Sequence, residues 1–63
     1  MSYICYVYER SDQVPYMEVL NAQSLADAEV RALALLGDRP HATKTEIWSN
    51  DLMIRAFDRA QVS

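Results

Sequence analysis

Few side chains in this 63-residue chain could take part in catalysis or metal binding. The single cysteine, Cys5, and the single histidine, His41, could act as a nucleophile and its base if they met. However, Cys5 falls in a run rich in Tyr, Ile and Val, where a lone cysteine is usually a small buried hydrophobe. His41 follows Pro40, which indicates a solvated loop. Because two such ligands cannot complete a tetrahedral zinc site, we expect neither a catalytic residue nor a metal.

Acidic and aromatic residues supply the remaining candidates for a site. Glu9, Asp12 and Glu18 around the first predicted hairpin could surround a cation, although acidic turn residues are usually only solvated. A chain with one glycine cannot form a glycine-rich phosphate loop. The tyrosines could stack bases, but the six Lys and Arg form no run and the formal net charge is −3. We therefore expect no cofactor, no nucleic acid partner and no enzymatic activity.

The length of the chain limits its stability. A domain of this size buries only about 60% of the surface that its unfolded chain exposes, so a monomer would be marginally stable. With one cysteine and no metal site, association with another subunit is the remaining source of added stability. No apolar run could span a membrane, and the N-terminus lacks the features of a secretory signal. We expect a cytoplasmic protein with Cys5 reduced.

The residue patterns predict a single α+β domain over residues 1–63 with the element order ββαββ. Ser24 is a good N-cap for the helix, and Gly37 stands where a left-handed C-cap residue would end it. The tail, residues 58–63, is expected to be frayed or to form a short helix. The predicted strands are about 3–9, 16–20, 43–49 and 52–57, and the predicted helix is about 25–36.

The closing hairpin is predicted to turn at residues 50–51. A two-residue loop fixes the register, because opposed residues share a face of the sheet. Ile47 would then lie opposite Ile54 on the helix side, and Glu46 opposite Arg55 on the other side. The second face of this hairpin would carry Trp48, Met53 and Phe57.

The segment TEIWSNDLMIRAF, residues 45–57, resembles a hairpin found in a bacterial family. The pattern of that hairpin is roughly E-[VI]-W-x-G-D-R-x-[VI]. It lies near the C-terminus of small bacterial proteins of unknown function. In those proteins a Y-x-x-Y hairpin and an Ala-rich helix come before it. Asn50 stands where that family tends to have Gly, and Leu52 where it often has Arg. The resemblance covers most of the chain and implies the ββαββ fold, but no activity and no functional residues. The matching positions are Tyr3, Tyr6, Ser24–Leu36, Glu46, Ile47 and Trp48.

One helix can cover only one face of a four-stranded, mainly antiparallel sheet. Its length of about 18 Å leaves the second face, which we call the outer face, to solvent or a partner. That face is usually polar. We expect the compact Cys5 and Val7 to lie under the helix, so that the outer face carries large apolar side chains instead. The predicted interface residues are Ile4, Tyr6, Tyr8, Trp48, Met53 and Phe57, with Tyr16 as a further candidate.

An exposed apolar patch of this kind usually marks an interaction site. We expect a protein-interaction module that forms a homodimer through the outer face. Two other functions stay open: a small acidic regulator, for example phage-borne, that inhibits a larger protein, and a ligand binder or enzyme with its site at a dimer seam. In a further alternative, Phe57 and Val62 of the tail cover the face of a monomer. The strand order is open between 2-1-3-4 and 2-1-4-3.

Overall fold

A computed structural model describes residues 2–9 and 14–62, with the side chain of Val62 left aside. One antiparallel sheet has the strand order β2-β1-β3-β4, and the main helix packs on one of its faces. The predicted α+β fold is confirmed, with the first of the two strand orders. Asp12 and the side chain of Val62 lie outside the described residues. The elements are β1 (Tyr3–Glu9), β2 (Tyr16–Leu20), α1 (Leu25–Asp38), β3 (Ala42–Ser49), β4 (Leu52–Asp58) and α2 (Arg59–Val62).

Helix α1 begins where the sequence predicts it, because Ser24 caps its N-terminus. The Ser24 backbone is extended, and its side-chain oxygen accepts a hydrogen bond from the Asp27 amide at 3.1 Å. The Asp27 carboxylate in turn accepts from the Gln23 amide at 3.3 Å and pairs with Arg31 at 3.3 Å. Amide groups at this helix end therefore have side-chain partners, and the acidic residue suits the positive end of the helix.

The C-terminal end of α1 differs from the prediction. The helix continues through Gly37, which has no positive φ, so Gly37 is not the left-handed cap that the sequence suggested. Instead Arg59, the first residue of α2, binds the carbonyl groups that follow the helix. Its guanidinium donates to the carbonyl oxygens of Leu36, of Arg39 at 2.8 Å and of Ala42 at 2.6 Å. The Arg59 side chain of α2 thus makes hydrogen bonds to both α1 and β3.

The core lies between α1 and the helix side of the sheet. Cys5 and Val7 of β1 are fully buried under the helix, as predicted. On α1, Ala28 and Ala32 are also fully buried, and such small side chains let the helix approach the sheet closely. The buried hydrophobic residues are Tyr3, Cys5, Val7, Leu20, Ala22, Ala28, Ala32, Leu36, Ala42 and Ile47.

The closing hairpin has the predicted two-residue turn. Asn50 and Asp51 have φ values of 53° and 65°, which is the backbone of a type I′ turn. This turn matches the right-handed twist of the strands that it joins, and Asn and Asp tolerate positive φ better than most residues. Beside the turn, Trp48 lies opposite Met53 as expected.

Beyond Met53 the predicted register is wrong, because the strand pairing shifts by one residue. Arg55, rather than Ile54, lies opposite Ile47, and Ile54 is the extra residue of a bulge. A shift of one residue moves every later side chain to the other face. Arg55 therefore lies on the helix side, where its Nε donates to Glu29 at 2.6 Å.

The same shift corrects two further predictions. Phe57 lies opposite Thr45 on the helix side and packs against the core, so it does not belong to the outer face. Glu46 lies opposite Ala56 and not opposite Arg55, so the predicted ion pair across the hairpin is absent from the described strands. In the alternative in which Phe57 and Val62 cover the outer face of a monomer, the role of Phe57 is contradicted by this placement, and the side chain of Val62 lies outside the described residues.

Replacing Gly37 with Ala should raise the free energy of unfolding by about 0.5–1 kcal/mol. Gly37 is helical, and a Cβ added to it would meet no atom within 4 Å. Chemical denaturation of both proteins measures the difference. If Gly37 were left-handed, the substitution would lower the free energy of unfolding. A lowered free energy of unfolding would therefore contradict the observed end of α1.

Replacing Arg59 with Met should lower the free energy of unfolding by about 2 kcal/mol, because three carbonyl groups lose a charged donor. Thermal unfolding measures the loss. Arg31→Met is the matched control, since it removes only the exposed pair with Asp27 and should cost less than about 0.5 kcal/mol. Equal effects of the two substitutions would show that the Arg59 contacts do not stabilise the fold.

Candidate interaction surface

The outer face carries an apolar row that crosses all four strands. Val19 lies opposite Ile4, Ile4 opposite Trp48, and Trp48 opposite Met53. Directly opposed side chains lie about 5 Å apart, so neighbours in the row can touch. The two edge residues are open to solvent, with Val19 63% and Met53 48% exposed, while the two central residues are half-buried. We call these four residues the apolar band.

A second row lies beside the apolar band. Met17 lies opposite Tyr6, and Tyr6 lies opposite Glu46. The Tyr6 and Trp48 rings are nearly perpendicular, at 87°, with their centroids 6.0 Å apart. Edge-to-face pairs of this kind contribute about 0.5–1.5 kcal/mol beyond the area they bury. The two rows therefore form one surface in which the aromatic rings fix each other's orientation.

Glu46 lies among the aromatic residues and holds their polar groups. Its Oε1 accepts hydrogen bonds from the Tyr8 hydroxyl at 3.0 Å and from the Trp48 indole nitrogen at 3.1 Å. The Lys44 ammonium lies 3.4 Å from Oε2 and 4.8 Å from the centroid of the Tyr8 ring. We call these four residues the Glu46 network. It gives the aromatic side chains internal partners, so they need no water or partner molecule to hold their positions.

The Glu46 network shifts the pKa values of two of its members. Burial by itself would raise the pKa of Glu46, but hydrogen bonds from Trp48, Tyr8 and Lys44 together with the Lys44 charge outweigh it and lower the pKa. The pKa of Tyr8 is raised, first by burial and then by its hydrogen bond to Glu46 and the negative charge there. Glu46 is therefore the charged partner and Tyr8 the neutral donor at physiological pH.

Five of the six predicted interface residues lie on the outer face, and Phe57 does not. Tyr16 is also misplaced in the prediction. It lies opposite Val7 on the helix side, with the Arg39 guanidinium 4.0 Å above its ring. The residues that were predicted to lie on the outer face and do lie there are Ile4, Tyr6, Tyr8, Trp48 and Met53.

Sequence reasoning missed Met17 and Val19, the contribution of β2 to the outer face. The signal was present in the alternation of the strand. Leu20 is the natural core residue of YMEVL, and residues two apart share a face, so Tyr16 belongs with Leu20. Met17 and Val19 then fall on the opposite face.

The structure keeps Cys5 and His41, the pair that was considered and set aside as a nucleophile and its base, apart from each other. Cys5 is fully buried, and burial, together with the charge of Glu18, raises the pKa of its thiol to about 11, so it stays protonated at neutral pH. Cys5 lies opposite Ile47, whereas His41 precedes Ala42 at the far end of β3, six residues or roughly 20 Å from Ile47 along the strand.

The acidic candidates near the first hairpin are also separated. Glu9 pairs with Arg39 at 3.7 Å, and Glu18 accepts a hydrogen bond from the Tyr16 hydroxyl at 3.1 Å. Within residues 2–9 and 14–62, no three His, Cys, Asp or Glu side chains are grouped as metal ligands. Within the same part of the chain, no helix is long and apolar enough to cross a membrane.

Fold and surface together define a class: a small four-stranded α+β domain with an aromatic outer face. No family model, curated protein or solved structure matches this chain. The resemblance of residues 45–57 to a bacterial family of unknown function therefore stays a prediction, and the properties of the surface are argued from the residues themselves.

Replacing Glu46 with Gln should lower the free energy of unfolding at neutral pH by about 1 kcal/mol, because the Lys44 ammonium loses its charged partner. The folded-state pKa of Glu46 is lowered, so its stabilisation is present above the usual value of 4.5 and is lost as the pH falls through the lowered value. Denaturation at a series of pH values should show the two proteins converging in acid.

Glu29→Gln is the control for this experiment. It removes the same charge from the exposed pair with Arg55, which should be worth only about 0–1 kcal/mol. A carbon NMR titration of the Glu46 carboxylate gives its pKa directly. A value at or above 4.5 would contradict the proposed balance of hydrogen bonds and burial.

Proposed function

We propose that this protein is a non-enzymatic interaction module whose outer face binds a second copy of the chain. One observation supports this most: the apolar band crosses the whole sheet on the face that α1 leaves uncovered. Tyr, Trp, Met and Phe are enriched at protein interfaces, and several of them lie on this face. The proposal also places the protein in the cytoplasm, consistent with a single, buried cysteine.

Size favours a second copy over a single folded chain as the working form. A domain of 63 residues buries too little surface to be more than marginally stable, and it has no disulfide to compensate. Burying the apolar band and the neighbouring Met17 against another sheet would add apolar burial at about 25 cal/mol per Å². Two antiparallel sheets can pack face to face with the side chains of their inner faces interdigitating.

Charge on the outer face also permits two copies to meet. The chain has a formal net charge of −3, so two copies repel each other at long range. On the outer face, however, Lys44 and Glu46 cancel each other within the Glu46 network. Two further carboxylates lie at the margins of the face: Asp58 at the end of β4 accepts from the Ala60 amide, and Asp51 belongs to the turn at residues 50–51. The centre of the face that would be buried therefore carries no net charge.

The size of the molecule sets an upper limit on the interface. The molecule measures 31 × 23 × 16 Å, so one flat face projects to at most about 700 Å², whereas a standard interface buries roughly 800 Å² of accessible surface per partner. The Glu46 network adds pre-organisation, because Tyr8 and Trp48 are already fixed before a partner arrives. Side chains that are fixed in advance lose less conformational entropy on binding.

Replacing Trp48 with Ala should weaken self-association by about 2 kcal/mol or more, because Trp48 lies at the centre of the apolar band. Light scattering gives the measurement. The wild type should have twice the chain mass of 7.2 kDa at high concentration and the variant should approach the single mass. A wild type that stays at the single mass at every concentration would end the proposal and leave a different protein as the partner to seek.

Two further variants make this test specific. Met53→Lys places a charge at the exposed edge of the apolar band and should also dissociate the dimer with little risk to the fold. Leu52→Lys is the matched control: Leu52 is the neighbouring residue, 69% exposed, and lies opposite Ser49 on the helix side. If both lysine variants lower the mass equally, the outer face is not the interface.

A further inference from the structure

The outer face also contains a concave site beside the turn at residues 50–51. We propose that this site binds an organic cation, a quaternary or alkylammonium group, between the rings of Tyr6 and Trp48 and the carboxylate of Asp51. Such binding would be a property separate from self-association. Its support is that this small chain contains three places where an aromatic ring and a carboxylate lie together.

Two of these groupings are filled by cations of the chain itself. The Lys44 ammonium lies 4.8 Å from the Tyr8 ring centroid and 3.4 Å from the Glu46 carboxylate. On the other side of the sheet, the Arg39 guanidinium lies 4.0 Å over the Tyr16 ring and 3.7 Å from a Glu9 oxygen. In both, an aromatic face and a carboxylate hold one positive group, which is the arrangement that favours cation–π binding.

The third grouping combines the same chemical parts. A depression of about 230 Å³ lies beside the turn, and its lining includes Ile4, Tyr6, Trp48 and Asp51. Both rings belong to the lining, and they are in edge-to-face contact with their centroids 6.0 Å apart. Asp51 belongs to the type I′ turn, so its carboxylate is attached to a well-defined backbone at the rim. No Lys or Arg belongs to the lining of this depression among the described residues.

Size and charge select the ligand. An aromatic pair and one carboxylate suit a weakly hydrated cation, because such a cation loses little hydration when it leaves water for a ring face. A divalent metal ion is less suitable, since it requires several oxygen ligands and the lining offers one carboxylate. The net charge of −3 attracts a cation to the protein as a whole.

The test uses choline as the probe, with fluorescence of Trp48 as the readout. Trp48 is the single tryptophan, so any change reports on this site. The neutral analogue is neohexyl alcohol, in which carbon replaces the choline nitrogen. Choline should give a saturable change and bind about tenfold more tightly than the alcohol. Sodium chloride at equal ionic strength is the salt control.

Variants assign the binding to the proposed residues. Asp51→Asn keeps a residue that tolerates positive φ and should weaken choline binding about threefold, and Tyr6→Leu should weaken it about tenfold. Asp38→Asn is the control, because it removes the same charge from the end of α1, away from the depression. Equal binding of choline and the alcohol, no saturable change, or equal loss in both Asp variants would overturn the proposal.

Two further measurements complete the design. Trimethyllysine amide as a second probe identifies the source of the cation: tighter binding than choline indicates a modified lysine side chain, and equal binding indicates a free small molecule. Because Trp48 belongs both to the apolar band and to this depression, the choline titrations are made at concentrations where light scattering gives the single-chain mass, so that a dimer does not cover the site. Asp51 is not part of the apolar band, so the Asp51→Asn variant should keep the wild-type mass while losing affinity for choline.

Discussion

One geometric constraint governs this structure: a single helix can cover only one face of a four-stranded sheet. The buried residues of β1 and β3 accordingly alternate with residues that point away from α1, and Cys5 and Ile47 are fully buried while Ile4 and Trp48 are not. Every property of the outer face follows from this asymmetry. The core of the fold uses small residues on α1 and compact residues such as Cys5 and Val7 on the sheet, with Tyr3 as its buried aromatic residue. Trp48, the largest side chain, lies with Tyr6 and Tyr8 on the face that α1 does not reach.

Polar groups on that outer face are satisfied within the chain. Glu46 accepts from Tyr8 and Trp48 and pairs with Lys44, so that four residues on two adjacent strands form one hydrogen-bonded unit. The unit has two consequences. It fixes the orientation of the aromatic rings, and it neutralises the charges at the centre of the face. Self-association and cation recognition, as proposed above, both depend on a surface that is ordered before anything binds.

Two contacts between distant parts of the chain decide details that local patterns do not. Arg59 binds the carbonyl groups at the end of α1 from the start of α2, more than twenty residues later, and Gly37 is consequently free to remain helical. The pair between Arg55 and Glu29 joins β4 to α1 across the bulge. In each, a charged side chain pairs with a group on another element, and local sequence patterns do not predict such a pair.

The sequence by itself determined the element order, the N-cap at Ser24, the turn at residues 50–51 and the outward placement of Tyr6, Tyr8 and Trp48. These features depend on capping, turn chemistry and period-two alternation, all of which act within a few residues. The tertiary structure decided the strand order, the bulge at Ile54 and the helical state of Gly37. Phe57 lies on the helix side because the bulge at Ile54 exchanges the two faces of β4 beyond it, and a strand register is set by packing against its neighbours and the helix. Tyr16 instead shares the face of Leu20 by the alternation that the sequence already contained.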